Sequence, residues 1–210
     1  MRTLAIDCAT EACSVALFQN GELIAGESLT LGRGHAERLV PMIAALPEKG
    51  RADAIAVDIG PGSFTGIRVG LAAARALGLA WDAQVIGFES LALVAAMASK
   101  QHPGHAIDVC ITGGHGEWFF QPFDSQGAAL AGIVSILPDD AASRSTASVI
   151  AGTQAAGLAR FRPNAVALDL HPDARCLTLL PPDAFQADPR PSYGRAPDAR
   201  LPGAPLPAAA

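Results

Sequence analysis

Residues 60–66 read GPGSFTG and join a short apolar run to a long one. A turn of this composition between a strand and a helix aims successive backbone N–H groups at one point by the helix N-terminus, where amides and helix dipole together hold an anion such as phosphate. Gly60, Gly62 and Ser63 are the residues such a site would use. The competing reading is a tight strand-to-helix junction, in which the glycines permit positive φ and Ser63 or Thr65 caps the helix. It is not a Walker loop, because Ile67 follows Gly66 where that motif requires lysine. A second candidate is AIDCAT, residues 5–10, in which Asp7 ends an apolar run and Thr10 lies three residues on. A carboxylate there either orients a metal-bound water or accepts neighbouring amides at the strand end. Other constellations are missing. Ser63 does not sit in a GxSxG elbow, and His35 has Leu39 at i+4, where a metal-binding helix face would place its second ligand. No residue is assigned to catalysis or to a metal.

Composition narrows the classes further. The chain has 210 residues, a net charge of −5 and only two lysines, Lys49 and Lys100, so it lacks the basic face with which a protein displaces counterions from nucleic acid. Cys8, Cys13, Cys110 and Cys176 have neither CxxC spacing nor scaffold density, which points to a reducing, cytoplasmic setting. The N-terminus carries Asp7 and Glu11 where a signal peptide needs an unbroken apolar stretch, and no window reaches the ~20 apolar residues of a membrane span.

The elements that must position these residues follow from periodicity. Residues 3–9, 13–18 and 23–29 read as strands, the last two joined by Asn20-Gly21, a strong hairpin signal. HAERLVPMIAAL, residues 35–46, has helical spacing, with Pro41 expected to kink it or restrict its start. Residues 54–59 and 84–88 read as strands, and 66–81 and 90–99 as helices. KQHPGH, residues 100–105, is the expected lobe boundary, dividing the chain into 1–100 and 101–210. A second series begins at 106–111, with GEWFFQPF as hairpin partner, 129–137 as a third run, and two short strands at 149–152 and 165–170. Strand, hairpin, strand thus occurs twice, which suggests duplication. Residues 139–148 read as small and polar, and the Pro-rich end is expected to fray. The helix at 66–81 is apolar nearly all round, with Arg68 and Arg75 its only charges. Ile67, Leu71, Ala74 and Leu77 suit a sheet, whereas Val69, Ala72, Ala73, Ala76 and Leu79 suit a second helix, within the monomer or on another chain.

AIDCATEACSVAL, HAERLVPMI and GPGSFTGIRVG, in this order and spacing, resemble the TsaB (YeaZ) family, bacterial proteins needed to make N6-threonylcarbamoyladenosine beside the tRNA anticodon. The resemblance covers the first ninety or so residues well and the remainder loosely. It implies an α/β, actin/Hsp70-like (ASKHA) fold of two ribonuclease-H-like lobes and a non-catalytic role beside the homologous TsaD. In that family TsaD carries HxxxH on its corresponding helix, while TsaB docks through helices of its first half. Carried over, the interface residues are Leu39, Ile43, Val69, Ala72, Ala73, Ala76 and Leu79. The implied partners are TsaD and TsaE, a second copy when the chain is alone, and tRNA only through the complex. Asp7, Thr10, Gly60, Gly62 and Ser63 become vestigial or interface nucleotide contacts, with no tightly bound cofactor and ATP or ADP met only at the TsaD interface. The second half departs from the pattern. In ITGGHGEWFF, residues 111–120, Thr112 stands where the family usually has a carboxylate. The alternative is an ASKHA-fold enzyme in its own right, a small-molecule kinase or a glycoprotease-like peptidase, which would need acidic residues in both lobes.

Overall fold

Alternation of large and small apolar side chains in the first strands decides how the N-terminal half is layered. In β1 (Arg2–Asp7) and β2 (Ala12–Gln19), Leu4, Ile6, Val15 and Leu17 enter one buried cluster, while Ala5 and Ala16 enter another on the opposite sheet face. Such a period of two is what a strand imposes on its side chains. Asn20 and Gly21, both at positive φ, turn the chain into β3 (Glu22–Thr30). The computed structural model describes residues 1–194, and among these no helix is long and apolar enough to cross a membrane.

After β3 come α1 (His35–Ala45), β4 (Ala54–Asp58), α2 (Phe64–Trp81), β5 (Gln84–Phe88) and α3 (Ser90–Gln101). The sheet order is β3-β2-β1-β4-β5, with β4 and β5 parallel to β1. Helices α1 and α2 cover the large-residue face through Leu39, Met42, Ile43, Ile67, Leu71 and Ala74. Pro41 lies inside α1, six residues past its start at His35, so it does not restrict where the helix begins.

The second sheet repeats the plan. It contains β6 (Ile107–Thr112), β7 (Trp118–Phe123), β8 (Val134–Ile136), β9 (Val149–Ala151) and β10 (Val166–Leu168), in the order β8-β7-β6-β9-β10. As in the first sheet, the opening three strands form an antiparallel meander and the last two join in parallel. Residues 139–148 differ from expectation, because α4 (Pro138–Arg144) forms there behind a proline at its first turn; α5 (Ala155–Ala159) was also not foreseen. Only 134–136 of the run 129–137 is strand.

Helix α3 serves both sheets. Leu93 joins the small-residue face of the first, and Leu91, Val94, Ala95 and Ala98 pack on the second. The boundary near residue 100 separates the sheets but not the packing. A 3-10 turn at Ala174–Leu179 returns to the first lobe, placing Ala174, Leu177 and Leu180 against Ala5, Ala16 and Phe88. The division 101–210 is therefore corrected for these residues, whose apolar side chains complete the layer beside α3. The Pro-rich end beyond residue 194 lies outside the described residues.

Candidate functional site

The turn between β1 and β2 and the glycine loop are built into each other. Ser63 N–H donates to the Ala9 carbonyl at 2.6 Å. A Cβ on Gly62 would overlap the Ala9 carbonyl oxygen, and one on Gly66 would overlap that of Cys8. These two glycines are thus explained by close backbone approach. Ser63 caps α2, its Oγ accepting from Gly66 N–H at 3.2 Å. The junction reading of GPGSFTG accounts for this geometry, and the Ser63 amide is already engaged.

A cleft of about 1120 Å³ opens above the loop. Thr10, Gly62, Ser63, Thr65 and Arg68 line it from the first lobe, and Thr112, Gly113, Gly114 and Phe119 from the second. His35 is also in its wall, with Nε2 2.9 Å from the Thr10 carbonyl and 3.3 Å from that of Ala12. Carbonyls only accept, so Nε2 carries the proton. Sequence reading found the residue but not this tie between α1 and the hairpin turn.

Two of the five expected nucleotide contacts are misplaced. Asp7 is wholly buried and lies beneath the cleft, while Gly60 packs behind the loop against Ser192. Thr10, Gly62 and Ser63 do come together on the cleft wall. Asp7 instead pairs with Asp58, the residue one step beyond the Ile6–Val57 pair in the parallel register of β1 and β4. Asp7 Oδ1 accepts from Ala9 N–H at 2.9 Å, and Asp58 accepts from Gly60 N–H at 2.7 Å and from the Ser90 hydroxyl at 2.8 Å. Asp7 Oδ2 has no amide or hydroxyl donor among the described residues. Two carboxyls buried side by side disfavour each other's charge, which favours the protonated form. Burial pushes Asp58 up to about 7, with the Glu89 charge adding to the rise against the opposing Gly60 and Ser90 bonds. Burial, and then the Asp58 charge, hold Asp7 well above the usual carboxylate range.

In the second lobe the equivalent strand end is neutral. Thr112 Oγ1 meets Thr153 Oγ1 at 3.1 Å and accepts from Gln154 Nε2 at 3.0 Å. The cleft therefore has no carboxylate opposite the glycine loop at this strand end.

The outer face of α2 splits the expected interface residues. Ala72 and Ala76 are exposed, Leu79 is 88% exposed, and Val69 and Ala73 are half-buried. Leu39 and Ile43 are corrected: both are turned into the core beneath α1, at 1% and 4% exposure, because α1 sets its apolar stripe against the sheet.

A family model for tRNA N6-adenosine threonylcarbamoyltransferase, TsaD, matches residues 30–163, more than half of the chain. The tRNA threonylcarbamoyladenosine biosynthesis protein TsaB of Escherichia coli K12 is 37% identical over 128 residues, covering 59% of this chain and 55% of that protein. YeaZ from Pseudomonas aeruginosa superposes with a TM-score of 0.77 at 27% identity, over 91% of this chain and 99% of that one. The chain belongs to the TsaB (YeaZ) family. It spans about half the length of the curated relatives it matches. The ethanolamine utilization protein EutJ from Carboxydothermus hydrogenoformans shares the fold alone, with a TM-score of 0.50 at 12% identity over 86% of this chain and 90% of that one. The actin/Hsp70-like, two-lobed α/β fold expected of a TsaB-type protein is the one observed.

Proposed function

We propose that this TsaB-type chain is a supporting, non-catalytic subunit that docks on a TsaD-type threonylcarbamoyltransferase and holds it active for modification of the adenosine beside the tRNA anticodon. The observation that carries this reading is the outer face of α2, where the apolar residues Ala72, Ala76 and Leu79 lie in water. Small residues let a second helix approach closely, and burying a leucine is worth ~1.5–3 kcal/mol. The cleft favours the same role. Its second-lobe strand end offers Thr112 in place of a carboxylate, and Asp7 is sealed beneath the first. ATP or ADP is then met at most at the shared interface, and TsaE joins through the complex. Alone, the chain pairs with a second copy through the same face. It acts in the cytoplasm, and the partner supplies the tRNA-binding surface that a chain of net charge −5 lacks.

Reconstitution tests the role. With tRNA, ATP, threonine, bicarbonate and the other biosynthesis proteins present, omission of this chain should stop threonylcarbamoyladenosine formation. Modification at full rate without it would refute the proposal.

A further inference from the structure

The glycine loop is walled on its outer side by chain from far down the sequence. Gly87 and Gln186 exchange backbone hydrogen bonds of 2.8 and 2.9 Å, so the chain leaving residue 186 starts at the outer edge of β5. It then crosses the loop. The Pro189 carbonyl accepts from Arg75 Nη2 at 2.8 Å, Ser192 N–H donates to the Ile59 carbonyl at 2.7 Å, and the Tyr193 hydroxyl accepts from Arg68 Nε at 2.9 Å. The Arg68 guanidinium also lies 3.5 Å from the centroid of the Phe64 ring, which is itself 5.0 Å from that of Tyr193. At Gly194 the chain reaches the other lobe, where a Cβ would stand 2.6 Å from the Phe119 ring of β7 and 2.9 Å from Pro61.

Two further glycines lie against this crossing. A Cβ on Gly60 would overlap the Ser192 carbonyl oxygen, and one on Gly87 would come within 2.9 Å of Pro189 Cβ. Yet the segment is lightly held. Gln186, Ala187, Asp188 and Arg190 are exposed, and of residues 186–194 only Pro189 is fully buried. A stretch with so few buried apolar contacts opens at lower free energy than the sheets it covers.

We propose that residues 186–194 form a releasable latch, closed by Arg68 and Arg75, that ties the glycine loop and the interlobe cleft to α2. Both charged side chains of α2 grip this one segment. Tyr193 and Arg68 also line the cleft, so a ligand entering there and a partner shifting α2 act on the same contacts. Two sites that bias one two-state element are coupled, and the coupling is reciprocal. The link to α2 as a docking helix rests on the function proposed above, whereas the latch itself is tested without any partner.

Amide hydrogen exchange resolved by NMR on the full chain would compare wild type with Arg75→Ala, Arg68→Ala and Tyr193→Phe. The last substitution keeps the ring and deletes only the accepted bond. A latch predicts at least tenfold faster exchange at Gly87 and Ser192 in both arginine variants and, together with them, at the Ser63 amide, while β1 and β4 keep their protection. Tyr193→Phe should give the same pattern at smaller amplitude. Acceleration confined to 186–194 would reduce the segment to a packed tail and overturn the proposal. So would unchanged exchange at Ser192, or loss of protection in β1 and β4, which would make the segment part of the core.

Discussion

The carboxyl pair Asp7–Asp58 sets how the first lobe responds to protons. Both groups titrate near 4 in an unfolded chain, whereas in the fold Asp58 is pushed up to about 7 and Asp7 is also raised. The folded state therefore binds more protons across this interval. The contribution of Asp58 is fully present below about pH 4 and is lost as pH rises through 7, with a slope of at most ~1.4 kcal/mol per pH unit per proton, and that of Asp7 declines with rising pH in the same sense. Asp7→Asn removes one of the two charges while retaining a side chain that hydrogen-bonds. Urea midpoints at pH 5.5 and 7.5 should show the variant gaining on wild type at the higher pH; parallel shifts in the two proteins would contradict the raised titration of the pair. Asp7 was visible in the sequence as a strand-end carboxylate, but Asp58 read only as a polar break in an apolar run. Their meeting depends on the register of β1 with β4, set by pairing fifty residues apart, which no local pattern encodes.

The glycine loop and α2 make predictions at the level of the element. Gly62→Ala should cost about 3 kcal/mol or more, since backbone cannot yield as a side chain would, and Ser63→Ala about 1 kcal/mol for the lost cap. Denaturant unfolding should rank them in that order, and equal midpoints for Gly62→Ala and wild type would mean the loop can move off Ala9. On the outer face of α2, Ala76→Glu should leave circular dichroism and melting nearly unchanged while abolishing association with the TsaD-type partner in size-exclusion with light scattering. Association retained by a folded variant would place the interface elsewhere. The helix and its two stripes were legible because 3.6-residue periodicity is local. Leu77 is the exception in degree, being only partly buried. Helix α4 was not legible, because Ala, Ser and Asp at 139–143 lack an apolar stripe, and its Pro138 start reads equally well as a turn.

For the whole molecule, an acidic chain with Lys49 and Lys100 as its only lysines should form no specific tRNA complex alone at physiological salt. Filter binding or anisotropy measures this, and tight, salt-sensitive binding would mean its arginines form a phosphate-binding face. Calorimetry with ATP should likewise show little heat, because Thr112 and the sealed Asp7 leave neither strand end at the cleft with an exposed carboxylate; a micromolar constant would favour the kinase reading. The repeated sheet was legible as strand, hairpin, strand. The return of 174–193 to the first lobe was not, since its short turns gave no periodic signal to say which sheet they cover. That return affects how the protein can be made. Ala174, Leu177 and Leu180 seal the face of Ala5, Ala16, Phe18 and Phe88, so the N-terminal lobe stays unfinished until residues 174–180 have left the ribosome. A nascent chain of about 105 residues would carry an apolar sheet face covered by α3 alone, making the first half the part most dependent on holdase chaperones during synthesis.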